Sequence, residues 1–231
     1  MKDETLPRQL PLALVHGEGR SRDDLVVTEA NEHAVALIEN WPNWPAPVMI
    51  LAGPTGSGKT HLAEIWCTEA GAKRFEPGAI GAEAIHAASE GPVLVDNADA
   101  TDLDQTGLFH LINAVKGAGT HLLLTSRNFA GGWSVELPDL ASRLRAAATV
   151  EIHEPDDMLL AGVIVKLFAD RQVMIEPHVV QFLVRRMERS LSAAREVVAL
   201  IDHMAMERKT RITRALAAEA AATLEEKPRS L

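Results

Sequence analysis

Residues 53–60 read Gly-Pro-Thr-Gly-Ser-Gly-Lys-Thr, a composition and spacing suited to holding phosphate groups. Glycines at 53, 56 and 58 let the backbone aim successive N–H groups at phosphate oxygens, with the positive end of the next helix behind them. Lys59 adds a point charge for the outer phosphates, and the Thr60 hydroxyl is placed to reach magnesium. A glycine-rich turn ahead of any helix has similar letters. This one stands between an apolar run and a helical pattern, which is the setting that phosphate binding requires. Gly53, Thr55, Gly56, Ser57, Gly58, Lys59, Thr60 and His61 are therefore the expected lining of a site for ADP or ATP.

A metal ion beside such a loop needs a second oxygen donor. Asp96, at the end of the apolar run Val93-Leu94-Val95, is where a parallel sheet delivers one, so Mg2+ is expected between Thr60 and Asp96. The next residue is Asn97, which cannot take a proton from an attacking water, so hydrolysis here is expected to be slow unless Asp99 substitutes. Thr125 and Ser126 end another apolar run, where a hydroxyl can report a terminal phosphate; a plain strand-exit turn accounts for the pair nearly as well. Arg143 and Arg195 fall in helical stretches, where an arginine is ordinarily a solvated charge. Gln9, Leu10, Leu12 and Leu14 belong to the stretch Gln-Leu-Pro-Leu-Ala-Leu, an apolar motif on a proline-held tail. Capture by a partner's groove and pairing at a sheet edge stand equal from these residues alone.

The elements that must position this chemistry are legible in outline. The continuous apolar run at 48–52 reads as a buried parallel strand, the same pattern of strand and turn recurs at 93–95, 121–124 and 149–152, and the helical stretches between them predict an α/β fold, a parallel β-sheet with flanking helices. A helix is expected over 60–70. After Pro155 the apolar residues recur at helical spacing, as in Leu159, Val163 and Leu167 or Val197, Leu200 and Met204, which predicts a small all-α lid. The expected organisation is a flexible tail over 1–20, a nucleotide-binding α/β domain over 21–153, a helical lid over 154–225 and a disordered end over 226–231.

Bulk composition narrows the partners. With 23 basic and 32 acidic residues the formal charge is −9, which leaves little non-specific attraction for a nucleic-acid backbone. The basic cluster Arg208, Lys209, Arg211 and Arg214 is the one place where DNA contact would be sought, and helix-terminal charges of this kind are usually solvated. The single cysteine, Cys67, excludes an intrachain disulfide and reads as a small core residue. No apolar run approaches the roughly 20 residues of a membrane helix. A soluble cytoplasmic protein is expected.

Taken together, Gly58-Lys59-Thr60-His61-Leu62, Val95-Asp96-Asn97, Leu124-Thr125-Ser126 and Pro138-Asp139-Leu140-Ala141-Ser142-Arg143-Leu144 resemble the AAA+ ATPase domain of the bacterial replication initiator DnaA, over about residues 21–222. Within that family the chain looks most like the Hda-type regulators that inactivate the initiator. The resemblance implies that Arg143 is an arginine finger acting in trans on a neighbour's nucleotide, that Arg195 is the sensor in the lid, and that Ser126 or Thr125 is the first sensor. It also implies that Gln9, Leu10, Leu12 and Leu14 dock on the DNA sliding clamp, that DnaA is a partner, and that the protein works at the nucleoid or replisome. Self-association into a homo-oligomer stays open, and direct DNA binding is expected to be weak or absent. Arg145-Ala146-Ala147-Ala148 departs from the aromatic and glycine that usually follow the finger segment. A stand-alone AAA+ helicase loader or clamp-loader-like subunit, and a nucleotide-gated clamp-recruitment module without catalytic role, are the alternatives; a small-molecule P-loop kinase is disfavoured by the helical lid.

Overall fold

A computed structural model describes Arg22 and residues 25–225. The tail motif at Gln9, Leu10, Leu12 and Leu14 and the C-terminal end at 226–231 lie outside the described residues. In chain order the described elements are α1 (Glu32–Glu39), β1 (Val48–Ala52), α2 (Lys59–Ala70), β2 (Lys73–Phe75), α3 (Ala82–Glu90), β3 (Val93–Val95), α4 (Gln105–Ala118), β4 (Leu122–Ser126), α5 (Pro138–Arg145) and β5 (Ala148–Glu151). The helices α6 (Asp157–Asp170), α7 (Pro177–Arg186), α8 (Leu191–Arg208) and α9 (Arg214–Glu225) follow.

The strands form one parallel sheet in the order β2-β3-β4-β1-β5. All five residues of β1 are buried because helices cover both faces, which is why this strand reads as a continuous apolar run and not as an alternation. Val48 and Ile50 join the core beneath α3, α4 and α5, whereas Met49 and Leu51 join the core beneath α1 and α2. Each expected strand forms, β4 and β5 displaced by one or two residues from the expected bounds. β2 was not expected at all. Its three residues, Lys73, Arg74 and Phe75, carry no apolar run, and the strand exists because it pairs with β3 at the sheet edge.

The four C-terminal helices pack on one another around Leu160, Ile164, Phe168, Leu183, Val198 and Ile201, a core distinct from the two sheet cores. Full burial of a side chain such as Phe168 contributes about 1.5–3 kcal/mol. Asp156 starts α6 by accepting from Leu159 N at 2.7 Å, and Ser190 starts α8 by accepting from Ala193 N at 3.3 Å. The segment before α1 ties this bundle to the sheet. Ala30 belongs to the helical core, Val26 packs against Gly162 of α6, and His153 N donates to Ala30 O at 2.9 Å beyond the end of β5. Among the described residues no helix is long and apolar enough to cross a membrane.

Candidate nucleotide-binding site

The parallel register brings the chemistry to one edge. Ala52 of β1 lies opposite Ser126 of β4, and Val95 of β3 lies opposite Leu124, so residue 53, residue 96 and residue 127 all leave the sheet on its carboxyl side. That side is where open α/β sheets bind ligands. The loop after β1 bends back over this edge with Gly56 at φ +76° and Gly58 at φ +103°, conformations that a residue with a Cβ adopts only under strain. Gly58 is the residue that opens α2, and no side chain caps that helix, so its first amides stay available to an anion.

Lys59 is buried, and its Nζ donates to Gly53 O and Pro54 O, each at 2.8 Å. Desolvation holds its ammonium below the ordinary lysine range, opposed by the charges of Asp99 and Asp96. Among the described residues no group hydrogen-bonds the buried Ser57 hydroxyl, and a ligand oxygen would satisfy it. Two cavities adjoin the loop. One of about 400 Å³ is lined by Lys59, Thr60, Asn97, Arg127, Ser192 and Arg195. The other, of about 90 Å³, is walled by apolar groups including Leu25, Val26, Ile152, Leu159 and Val163. Gly58, His61, Leu191 and Arg195 line both, so a polar trough and an apolar slot adjoin across these residues, an arrangement suited to a phosphate tail and a flat base.

Asp96 is almost wholly buried, and its carboxylate lies 3.3 and 3.4 Å from the Thr60 hydroxyl. Magnesium prefers hard oxygen donors, and Thr60 and Asp96 are the residues that would hold it here. Thr125 and Ser126 reach the site edge but turn inward. The Thr125 hydroxyl donates to Asp96 Oδ1 and accepts from Asn97 N at 2.8 Å, while the Ser126 hydroxyl donates to Asn128 O at 2.8 Å. Asn97 itself takes φ +56° and lines the trough. Asp99 is committed to the turn after β4, its Oδ2 accepting from Arg127 N at 2.9 Å, Asn128 N at 3.2 Å and Asn128 Nδ2 at 3.3 Å.

Of the two arginines singled out from sequence, Arg195 reaches the cleft and Arg143 does not. Arg195 stands one turn into α8, whose first amide, Leu191 N, donates to Gly56 O at 2.8 Å and so ties the helical bundle to the phosphate loop. Gly56 is required there, because a Cβ would come within 2.2 Å of Ser190 Oγ. Arg143, half-buried in the last turn of α5, is absent from the described residues lining either cavity; its guanidinium lies over the Phe109 ring of α4 at 4.8 Å. The short turn Ala146-Ala147 that departs from the family pattern closes α5 and leads directly into β5. In the basic cluster, Arg208 is held bidentate by Glu219, and Arg214 lies over the Phe182 ring at 5.1 Å. Both are used inside the fold.

Sequence reasoning missed three parts of this site. The apolar slot draws on residues far apart in the chain, from Leu25 to Val163, and has no local signature. Arg127 was within reach, since it directly follows the strand end Thr125-Ser126. Arg74, whose Nη2 donates to Asp96 Oδ2 at 2.9 Å, was hidden because its strand was.

No protein-family model matches the sequence, and no curated protein matches it. Solved structures do match the fold. Domain III of the Thermotoga maritima replication initiation protein DnaA superimposes with a TM-score of 0.76 at 14% identity, covering 90% of this chain and 98% of that one. The RuvB Holliday junction branch migration motor of Thermotoga maritima gives 0.72 at 17% identity, covering 91% and 74%. AMPPCP-bound DnaA from Aquifex aeolicus gives 0.67 at 20% identity, covering 81% and 67%. The five-stranded parallel sheet with its flanking helices and C-terminal helical bundle thus has the fold of DnaA domain III and of the RuvB motor.

Proposed function

We propose that this chain is a cytoplasmic, adenine-nucleotide-binding AAA+ regulator of replication initiation, of the Hda type, which docks on the DNA sliding clamp and stimulates ATP hydrolysis by the initiator DnaA. The observation that carries the reading is a division of labour among charges. Lys59, Thr60 and Arg195 share one cleft with Asp96 beside it, whereas Arg143 stands outside that cleft on an aromatic support.

In this reading the loop amides and Lys59 hold the phosphates of ADP or ATP, Mg2+ stands between Thr60 and Asp96, and the helical bundle over 154–225 is a lid that brings Arg195 onto the α/β domain over 21–153. Arg143 enters the initiator's ATP site, where its planar fork balances charge developing on the transferring phosphoryl group. Slow hydrolysis in the protein's own site is supported by Asn97 in place of an acid and by the three donors that occupy Asp99. The tail residues Gln9, Leu10, Leu12 and Leu14 supply the clamp contact, with Gln9 suited to a polar pocket and the leucines to an apolar one.

The test combines purified initiator, DNA-loaded clamp and this protein, and follows ATP hydrolysis. Arg143→Ala is expected to remove the stimulation, by about 10³-fold or more if the finger acts as trans arginines do, while ADP affinity is retained. Gln9→Ala with Leu12→Ala is expected to abolish capture by the clamp. Rapid hydrolysis by the isolated protein would favour a stand-alone loader or motor instead. Full stimulation by the Arg143 variant would remove Arg143 from the finger role, and clamp capture without stimulation by the wild type would leave only clamp recruitment.

A further inference from the structure

The buried carboxylate expected to serve magnesium already has a cation. Asp96 is 3% exposed, and its Oδ2 accepts from Arg74 Nη2 at 2.9 Å while the Thr125 hydroxyl donates to Oδ1. Arg74 comes from β2, in register with Leu94 of β3, so its side chain reaches along the sheet edge to the residue just past the end of that strand. On its outer side it meets Glu64 of α2 at 3.5 Å and Glu76 at 4.0 Å. A buried carboxylate without a partner is costly, and the guanidinium hydrogen-bonded to it offsets part of that cost without a metal.

We propose that Arg74 is a resident counter-cation for Asp96, so that this chain binds its nucleotide with only a weak requirement for divalent metal. The inference rests on the nucleotide reading above and deepens it. On this proposal Arg74 has two arrangements, of which the structure shows the first. In one it holds Oδ2 and neutralises the acid that would attract Mg2+. In the other it yields Oδ2 to the metal or a metal-held water, and Glu64 and Glu76 retain it at the rim, where its side chain is already 41% exposed. Because Mg2+ must displace a charge-assisted hydrogen bond and then share the site edge with a like charge, its gain in binding is small. A protein whose task is to stay loaded with nucleotide, without turning it over, benefits from such an arrangement.

The test measures ADP affinity of the full chain by titration calorimetry, in EDTA and in excess Mg2+, for the wild type, Arg74→Gln and Arg74→Lys. The wild type is expected to change less than about 3-fold between the two conditions, and Arg74→Gln to lose at least about 10-fold in EDTA and regain it with Mg2+, the scale of one charge-assisted hydrogen bond. Arg74→Lys, which keeps the charge, should stay near the wild type and serves as the second variant if Arg74→Gln does not fold. The proposal is overturned if the wild type and Arg74→Gln depend equally on Mg2+, or if Arg74→Lys, where only it folds, needs Mg2+ as strongly as an ordinary P-loop site. Wild-type protein that binds no ADP in either condition defeats the nucleotide reading itself, and the inference with it.

Discussion

Lys59 concentrates the physics of the site in one side chain. Burial lowers its pKa, and a bound phosphate raises it again by adding negative charge, so nucleotide binding takes up a proton wherever the free lysine has begun to lose its own. ADP affinity is therefore expected to be greatest on the acid side of the lowered pKa and to fall as pH rises through it. Lys59→Arg should lack that alkaline decline in a calorimetric pH series, since a guanidinium stays charged. Lys59→Ala removes a hydrogen bond to a charged partner, worth about 1.5–3 kcal/mol or about 10- to 150-fold in affinity. Cys67 shows the opposite influence of burial on an acid. Its thiol is pushed up to about 11, so alkylation by iodoacetamide near neutral pH is expected to be slower than in denatured protein, on the order of 100-fold, as read by mass spectrometry. Prompt labelling of native protein would mean that α2 opens there.

At the scale of elements, α4 and α5 act as one unit beneath the sheet. Asp104 caps α4 by accepting from Gly107 N at 2.8 Å, and Phe109 one turn later carries Arg143 of α5. Asp104→Ala is expected to cost about 0.5–2 kcal/mol, a fall of about 2–4 °C in Tm per kcal/mol for a chain of this length. Under the proposed function, Phe109→Ala should leave ADP affinity unchanged and lower the stimulation of initiator ATPase, because it removes the ring on which Arg143 rests. A parallel loss of ADP binding would make Phe109 a folding residue only. The elements also show where sequence patterning stops being informative. β1 and β3 declare themselves because both faces are covered and every residue is apolar. β2 does not, because an edge strand of three residues with two exposed ones is defined by its neighbour's free hydrogen-bonding groups and by nothing in its own composition.

At the scale of the molecule, the helical bundle and the sheet meet over the nucleotide cleft. Phe168 lies at the centre of the bundle, and Phe168→Ala is expected to cost about 3–5 kcal/mol. That loss should weaken ADP binding as well as lower Tm, since α8 positions both Leu191 and Arg195 at the loop. Separable effects on Tm and affinity would show that the bundle and the cleft are uncoupled. The sequence by itself determined the contiguous part of this protein: the phosphate loop, its strand and helix, Asp96 at a strand end, and the switch to helical periodicity after Pro155. Each follows from local conformational rules or from a run of like residues. Only the tertiary structure decided what depends on distant segments meeting, namely the apolar slot between residue 25 and α6, the inward turn of the Thr125 and Ser126 hydroxyls, and the seating of Arg143 outside the cleft. The same holds for the Arg74 guanidinium on Asp96. Side-chain contacts across a sheet edge are set by strand order and register, and neither is written in the spacing of residues along one chain.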